Sequence, residues 1–308
     1  MWRAVVSPRN LGVAAVVTSL GLALSAGVRG GDQTLRGRIE KMGAGTVQSF
    51  VTLAPGGVPT AIGVTLSAGA LEQLPPVPNS VSRCFDLNGD GRHTGHECIG
   101  DEERILDVPL DSSAGLPFRW ITVNWNPAGH HNTPYARAHF DFHFHTGERN
   151  RVEAIASGRC GELADCEDFK VATRPVPAPY LPKGYIDVGA VVPRMGNHLL
   201  DSQSPELKDS LPFSTTFIYG AYDGELIFWE PMITLDMLRK TRDACWSISQ
   251  PEGLRRRGTI RRSTVSGGVG LGNAPCRWRV SGTRRRVRRC VIPSIARNRP
   301  GIRLEMTR

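Results

Sequence analysis

The stretch that most constrains this chain runs from His139 to His145 and reads HFDFHFH. His139, Asp141, His143 and His145 take every second position, and Phe140, Phe142 and Phe144 stand between them. A strict period of two belongs to a β-strand, whose successive side chains point to opposite faces. One face of this strand is aromatic and needs a core. The other presents three imidazoles and a carboxylate in a row.

Neighbours on one face of a strand lie about 6.5 to 7 Å apart, so residues two positions apart can share a cation. Residues four apart, at roughly 13 Å, cannot converge from a straight strand. His139 with Asp141, Asp141 with His143, and His143 with His145 are therefore the usable pairs, and further ligands must come from elsewhere. The best donors are His198 in RMGNHLLD, read as a loop or turn, and Glu230 in FWEPM, read as a strand end. The expected ligands are His139, Asp141, His143, His198 and Glu230, a donor set suited to zinc, manganese or non-haem iron with one position left open. The competing expectation is a structural one, with imidazoles at the surface or buried and hydrogen-bonded. His130 and His131, in PAGHHNTP, read as loop surface.

A second motif is CFDLNGDGRHTGHEC, Cys84 to Cys98. Asp86, Asn88, Asp90, Gly91 and Glu97 occupy positions 1, 3, 5, 6 and 12 of a calcium loop, where short oxygen side chains wrap the ion and glycine makes the sharp turn. No helix is expected before it, and His93 takes a position that is usually aliphatic. The motif therefore reads as a solitary calcium loop with ligands Asp86, Asn88, Asp90 and Glu97, closed by a Cys84–Cys98 disulfide. An Asx-rich turn that binds nothing is the alternative.

Residues 1–27 read as a signal peptide. Arg3 and Arg9 precede an uncharged apolar run that ends in small residues, with cleavage expected after Ser25 or Gly27. A single-pass anchor is the rival; after cleavage no stable membrane span is expected. Export to a secreted, extracytoplasmic location makes disulfides the natural use of the seven cysteines, with Cys84–Cys98 and Cys160–Cys166 as local pairs.

The formal net charge of +9 conceals a division. Residues 253–308 hold 16 Arg, no Lys and one acid, Glu305, while the remaining 22 basic and 28 acidic residues leave the body negative. The segment 253–308 reads as an irregular Arg-rich tail, either disordered or the product of a shifted reading frame. Arginine clusters suit phosphate, but no nucleic acid is expected to bind the folded domain.

Between 32 and 252 the pattern is β-rich α+β: antiparallel hairpins with a few short helices in a single domain. Two β-branched runs flank Pro55-Gly56-Gly57, and a second hairpin turns at Asp223-Gly224. Short helices are expected near ERNRVEAIA and at TLDMLRKT, the latter capped by Thr234.

HFDFHFH, VPRMGNHLLD, TTFIYGAYDGELIFWEPMIT and TVQSFVTLAPGGVPTAIGVTLSAGALEQLP together resemble an exported bacterial family known as domain of unknown function 5602. The likeness spans most of Thr46 to Thr234. It implies that His139, Asp141, His143, Met195, Gly196, His198, Asp201, Glu230, Pro231 and Met232 sit in motif positions. Position 145 departs, since the family usually has Tyr where this chain has His145. A member of that family forms a homo-oligomeric ring under the control of an extracytoplasmic stress sigma factor, so the resemblance implies a homo-oligomer and no defined activity. FHFH is also similar to the zinc strand of α-type carbonic anhydrases. The acidic-aliphatic-His run that would supply their third ligand does not follow Gly147, and convergence is the reading.

Two functions remain open at this stage: a secreted divalent-metal-binding protein, or a non-catalytic envelope stress or assembly module whose His and Glu motifs are structural. No phosphate loop, dinucleotide fingerprint or serine triad motif points to another enzyme class.

Overall fold

A computed structural model describes residues 31–76, 84–93, 97–99, 102–110, 115–130, 133–240, 243–253, 277–282 and 301–307. The expected signal peptide, His96, His131, Cys276 and Cys290 lie outside these residues.

The chain begins with three antiparallel strands, β1 (Gln33–Met42), β2 (Gly45–Leu53) and β3 (Pro59–Ser67), followed by a 3-10 turn at Ala68–Leu71. Next come β4 (Glu102–Asp107), β5 (Trp120–Asn126), β6 (His139–His145), helix α1 (Arg149–Glu153) and β7 (Ser157–Cys160). Helix α2 (Cys166–Ala172) is capped by Asp165, whose side chain accepts from the Glu167 and Asp168 amides. It precedes β8 (Tyr185–Val192), β9 (Gly196–Asp201), the turn-long α3 (Pro205–Lys208), and the hairpin of β10 (Thr215–Tyr222) with β11 (Glu225–Thr234). Asp223 and Gly224 both have positive φ, as a two-residue hairpin turn with right-handed strand twist requires. Helix α4 (Leu235–Lys240), β12 (Asp243–Ser247), β13 (Arg277–Gly282) and β14 (Gly301–Thr307) complete the chain, and Thr234 Oγ1 accepts from the Met237 amide as the expected cap.

The strands form two antiparallel sheets, one ordered β1-β2-β3-β14-β13-β12 and the other β4-β5-β6-β11-β10-β9-β8. A single apolar cluster draws on both: Val47, Val51, Val64, Leu66, Leu304 and Met306 from the first, and Ile121, Val123, Phe140, Phe142, Phe144 and Trp229 from the second. The phenyl face of HFDFHFH thus lines the space between the sheets, and the imidazole face is turned outward. A second apolar group, including Tyr135, Val152, Met195 and Phe213, covers that outer face. All seven residues of β6 are consequently buried.

The β-rich α+β class is as expected, but two placements are not. Within RMGNHLLD, Gly196–Asp201 is strand β9 rather than a loop or turn, and only Arg194 and Met195 lie in the turn that leads to Gly196 (φ 113°). In the Arg-rich segment, β13 and β14 are strands of the six-stranded sheet, and β14 pairs with β3. The irregular character expected from residue 253 onward does not extend to these two stretches. Cys84–Cys98 and Cys160–Cys166 are disulfide-bonded as anticipated.

Candidate metal centre

Strand register lines up the polar side chains of the outer face. Across β5 and β6, Thr122 stands opposite His143, Asn124 opposite Asp141, and Asn126 opposite His139. Across β6 and β11, Phe228 pairs with His145 and Met232 with Asp141, which sets Glu230 across from His143. Gly220 of β10 pairs with Phe228 on one side and with His198 of β9 on the other. A Cβ at Gly220 would overlap the Phe228 ring, so the glycine lets that ring lie flat over the sheet. Phe228 then forms the apolar wall of the site, its centroid 4.8 Å from that of His143 and 5.0 Å from that of His198.

His143, His198 and Glu230 converge from three strands, with one ligand atom of each within 4.8 Å of the others. His143 Nε2 lies 3.4 Å from Glu230 Oε1, and His198 Nε2 lies 3.7 Å from Glu230 Oε2. His198 Nδ1 is 3.1 Å from the Ala190 carbonyl, to which it donates, leaving the Nε2 lone pair directed at Glu230. Burial, assisted by the charge of His130, pushes His198 down to about 4, so the ring is neutral at ordinary pH. Burial and then the Asp141 carboxylate hold the Glu230 pKa well above its usual range. Glu230 Oε2 makes no hydrogen bond. Glu230 was expected at a strand end; it lies inside β11, sixth of the strand's ten residues.

His139 and Asp141 belong to a different group, completed by His130. In the sequence His130 reads as loop surface. Asn126 ends β5, and the chain turns back through Gly129, whose φ is 68°, in a loop closed by hydrogen bonds from Gly129 N to Asn126 O and from His130 N to Tyr135 O. The turn lays the His130 ring edge-on against His139, with centroids 4.8 Å apart. Burial alone would raise Asp141; His139 and then His130 outweigh it and hold its carboxyl well below the usual range. A glycine directly before His130 and an asparagine at the strand end were the only signals available, and neither specifies a return onto the sheet.

His145 joins neither group. Its ring stacks on Trp120 at 3.6 Å with an interplanar angle of 3°, and Nε2 is 3.3 Å from Thr122 Oγ1. The Tyr135 hydroxyl and Glu206 Oε1 are also buried under the cover without hydrogen-bond partners. Burial, and then the charge of Glu206, raises the Tyr135 pKa and keeps its proton on.

In the Cys84 loop, Asp86 accepts from the Gly89 and Gly91 amides, and Glu97 Oε1 from those of Leu87 and Asn88. Cys84, His93 and Cys98 form a third group of suitable atoms, but both sulfurs are in the disulfide and cannot act as thiolates. None of the groups found among the described residues contains Asp86, Asp90 or Glu97.

Fold and site define a two-sheet β protein with buried His/Asp/Glu groups under the outer cover of one sheet. Comparison with family models, curated proteins and solved structures gives no match.

Proposed function

We propose that this chain is an exported divalent-metal-binding protein whose principal ligands are His143, His198 and Glu230. The convergence of these three side chains from strands β6, β11 and β9 of one sheet carries the reading. Tetrahedral zinc held at about 2.0 to 2.1 Å sets its ligand atoms roughly 3.3 Å apart, close to the contacts found around Glu230. Two imidazoles and a carboxylate suit zinc first, then manganese or iron, and leave a fourth position in which an ion would acidify a bound water. The enclosure of the ligands favours a tightly held ion, and no reaction is assigned.

Elemental analysis of protein purified without chelator tests this. About one or more equivalents of zinc, manganese or iron, reduced in a His143→Ala/His198→Ala double variant, supports the reading. No transition metal in either protein makes the imidazole row structural and leaves an envelope assembly module as the function.

Export is supported by two disulfides and the signal-like start, and homo-oligomeric assembly by the resemblance to domain of unknown function 5602. Calcium at Asp86, Asn88, Asp90 and Glu97 is a separate proposal, motivated by the motif register; terbium luminescence that Asp86→Ala removes would support it.

A further inference from the structure

We propose that the outer face holds a second, distinct divalent-cation site formed by His130, His139 and Asp141. The inference rests on the reading of this face as metal-binding and assigns it two ions rather than one.

The geometry is that of a first coordination shell. His130 Nε2 and His139 Nε2 are 3.3 Å apart, His139 Nε2 is 3.0 Å from Asp141 Oδ1, and His130 Nε2 is 3.6 Å from Asp141 Oδ2. These separations match the roughly 3.3 Å spacing of ligand atoms around a tetrahedral zinc ion. His139 Nδ1 lies 2.5 Å from the Arg137 carbonyl and donates to it, which fixes the tautomer and aims the Nε2 lone pair at the other two ligands. Asn126 Nδ2 donates to Asp141 Oδ2 at 2.6 Å and orients the carboxylate, as a supporting outer residue would. A proton shared between the two imidazole nitrogens satisfies both but leaves Asp141 Oδ1 without a donor. One cation between them satisfies all three groups.

The site also has an entrance. The His139 and Asp141 side chains are 0% and 4% exposed, whereas His130 is 36% exposed on its loop, so an ion can arrive through His130 and settle on the buried pair. Asp141 and His143 are two positions apart on one strand, about 6.5 to 7 Å, whereas metal pairs that share a bridging oxygen lie about 3.5 to 4 Å apart. The two ions are therefore independent neighbours, and the imidazole-rich donor set selects borderline metals such as zinc over calcium.

The test is titration of metal-free protein with zinc and with cobalt(II), reading stoichiometry and the tetrahedral cobalt absorption in wild type, His130→Ala, His130→Gln and His198→Ala. His130 is on a half-exposed loop, and thermal melts of both its variants check that the fold survives. Two equivalents in wild type and one in each variant is the expected result. One equivalent in wild type that both His130 variants keep and His198→Ala loses overturns the second site while leaving the first intact. One equivalent abolished by substitution at either histidine overturns the two-site assignment in favour of a single shared site. No binding in any protein removes both readings.

Discussion

Burial favours the neutral forms of both Glu230 and His198. In the metal-free folded chain His198 stays neutral down to about 4, against an ordinary 6.5, and Glu230 keeps its proton above its ordinary 4.5. The unfolded chain gains a histidine proton below 6.5 that the folded chain does not take up until about 4, and loses above 4.5 a glutamate proton that the folded chain keeps to higher pH. The two shifts therefore act with opposite sign on the pH dependence of stability. The contribution of Glu230 falls as pH rises through its folded pKa. A divalent ion has to displace that proton, so binding at mildly acidic pH will release about one proton from this site. Calorimetry in buffers of differing ionisation heat measures the release, and Glu230→Gln should remove it. Gly220→Ala should be costly, because its methyl group and the Phe228 ring compete for one space; a loss of roughly 1 to 3 kcal/mol in chemical denaturation, with weakened metal binding, is expected. At this scale His143, His198 and Glu230 were readable because alternation and spacing restrict which donors can meet. His130 was not, because its position depends on a loop folding back, and no local period encodes that.

At the scale of elements, turn chemistry made the hairpins legible: Asp223-Gly224 and Pro55-Gly56-Gly57 announce where the chain reverses. Strand β9 was obscured because Gly196 and Asn197 resemble turn residues, although Gly196 is already paired with Val192 and Asn197 with Ala221. Strand β14 was obscured by the arginines around it. Its own text, IRLEMT, alternates: Leu304 and Met306 are buried in the inter-sheet core. The Arg303 guanidinium lies over the Phe50 ring at 3.7 Å and pairs with Glu305 at 2.7 Å. A period of two within an Arg-rich background was thus the available signal. Leu304→Ala is expected to cost about 2 to 5 kcal/mol, the usual range for emptying a core leucine site, measured as a shift in the denaturation midpoint. Retention of wild-type stability would mean that β14 adds nothing to the sheet.

For the whole molecule, the sequence disclosed that one sheet face is aromatic and the other ionisable, but not that loops and short helices would seal the ionisable side. That cover comes from residues distant in sequence, such as Tyr135, Val152, Met195 and Phe213. Oxidation state should matter to the periphery more than to the core. Closure of a 15-residue loop is worth roughly 3 kcal/mol in the chain-entropy account, so Cys84→Ser/Cys98→Ser should loosen the Asp86 loop and lower the melting temperature. Metal stoichiometry at His143, His198 and Glu230 should be unchanged, as elemental analysis of the double variant will read.

The pairing of β14 with β3 joins positions 240 apart, Val64 with Leu304, whereas every proposed ligand on the outer face lies between His130 and Glu230. A ribosome therefore delivers both ion-binding groups well before it delivers the strand that continues the first sheet past β3. During that interval β3 is an unpaired edge, open to the wrong neighbour. The nascent chain's hazardous period is set by how quickly residues 301–307 arrive, and an early-bound ion could steady one half of the molecule while the other waits for its missing strand.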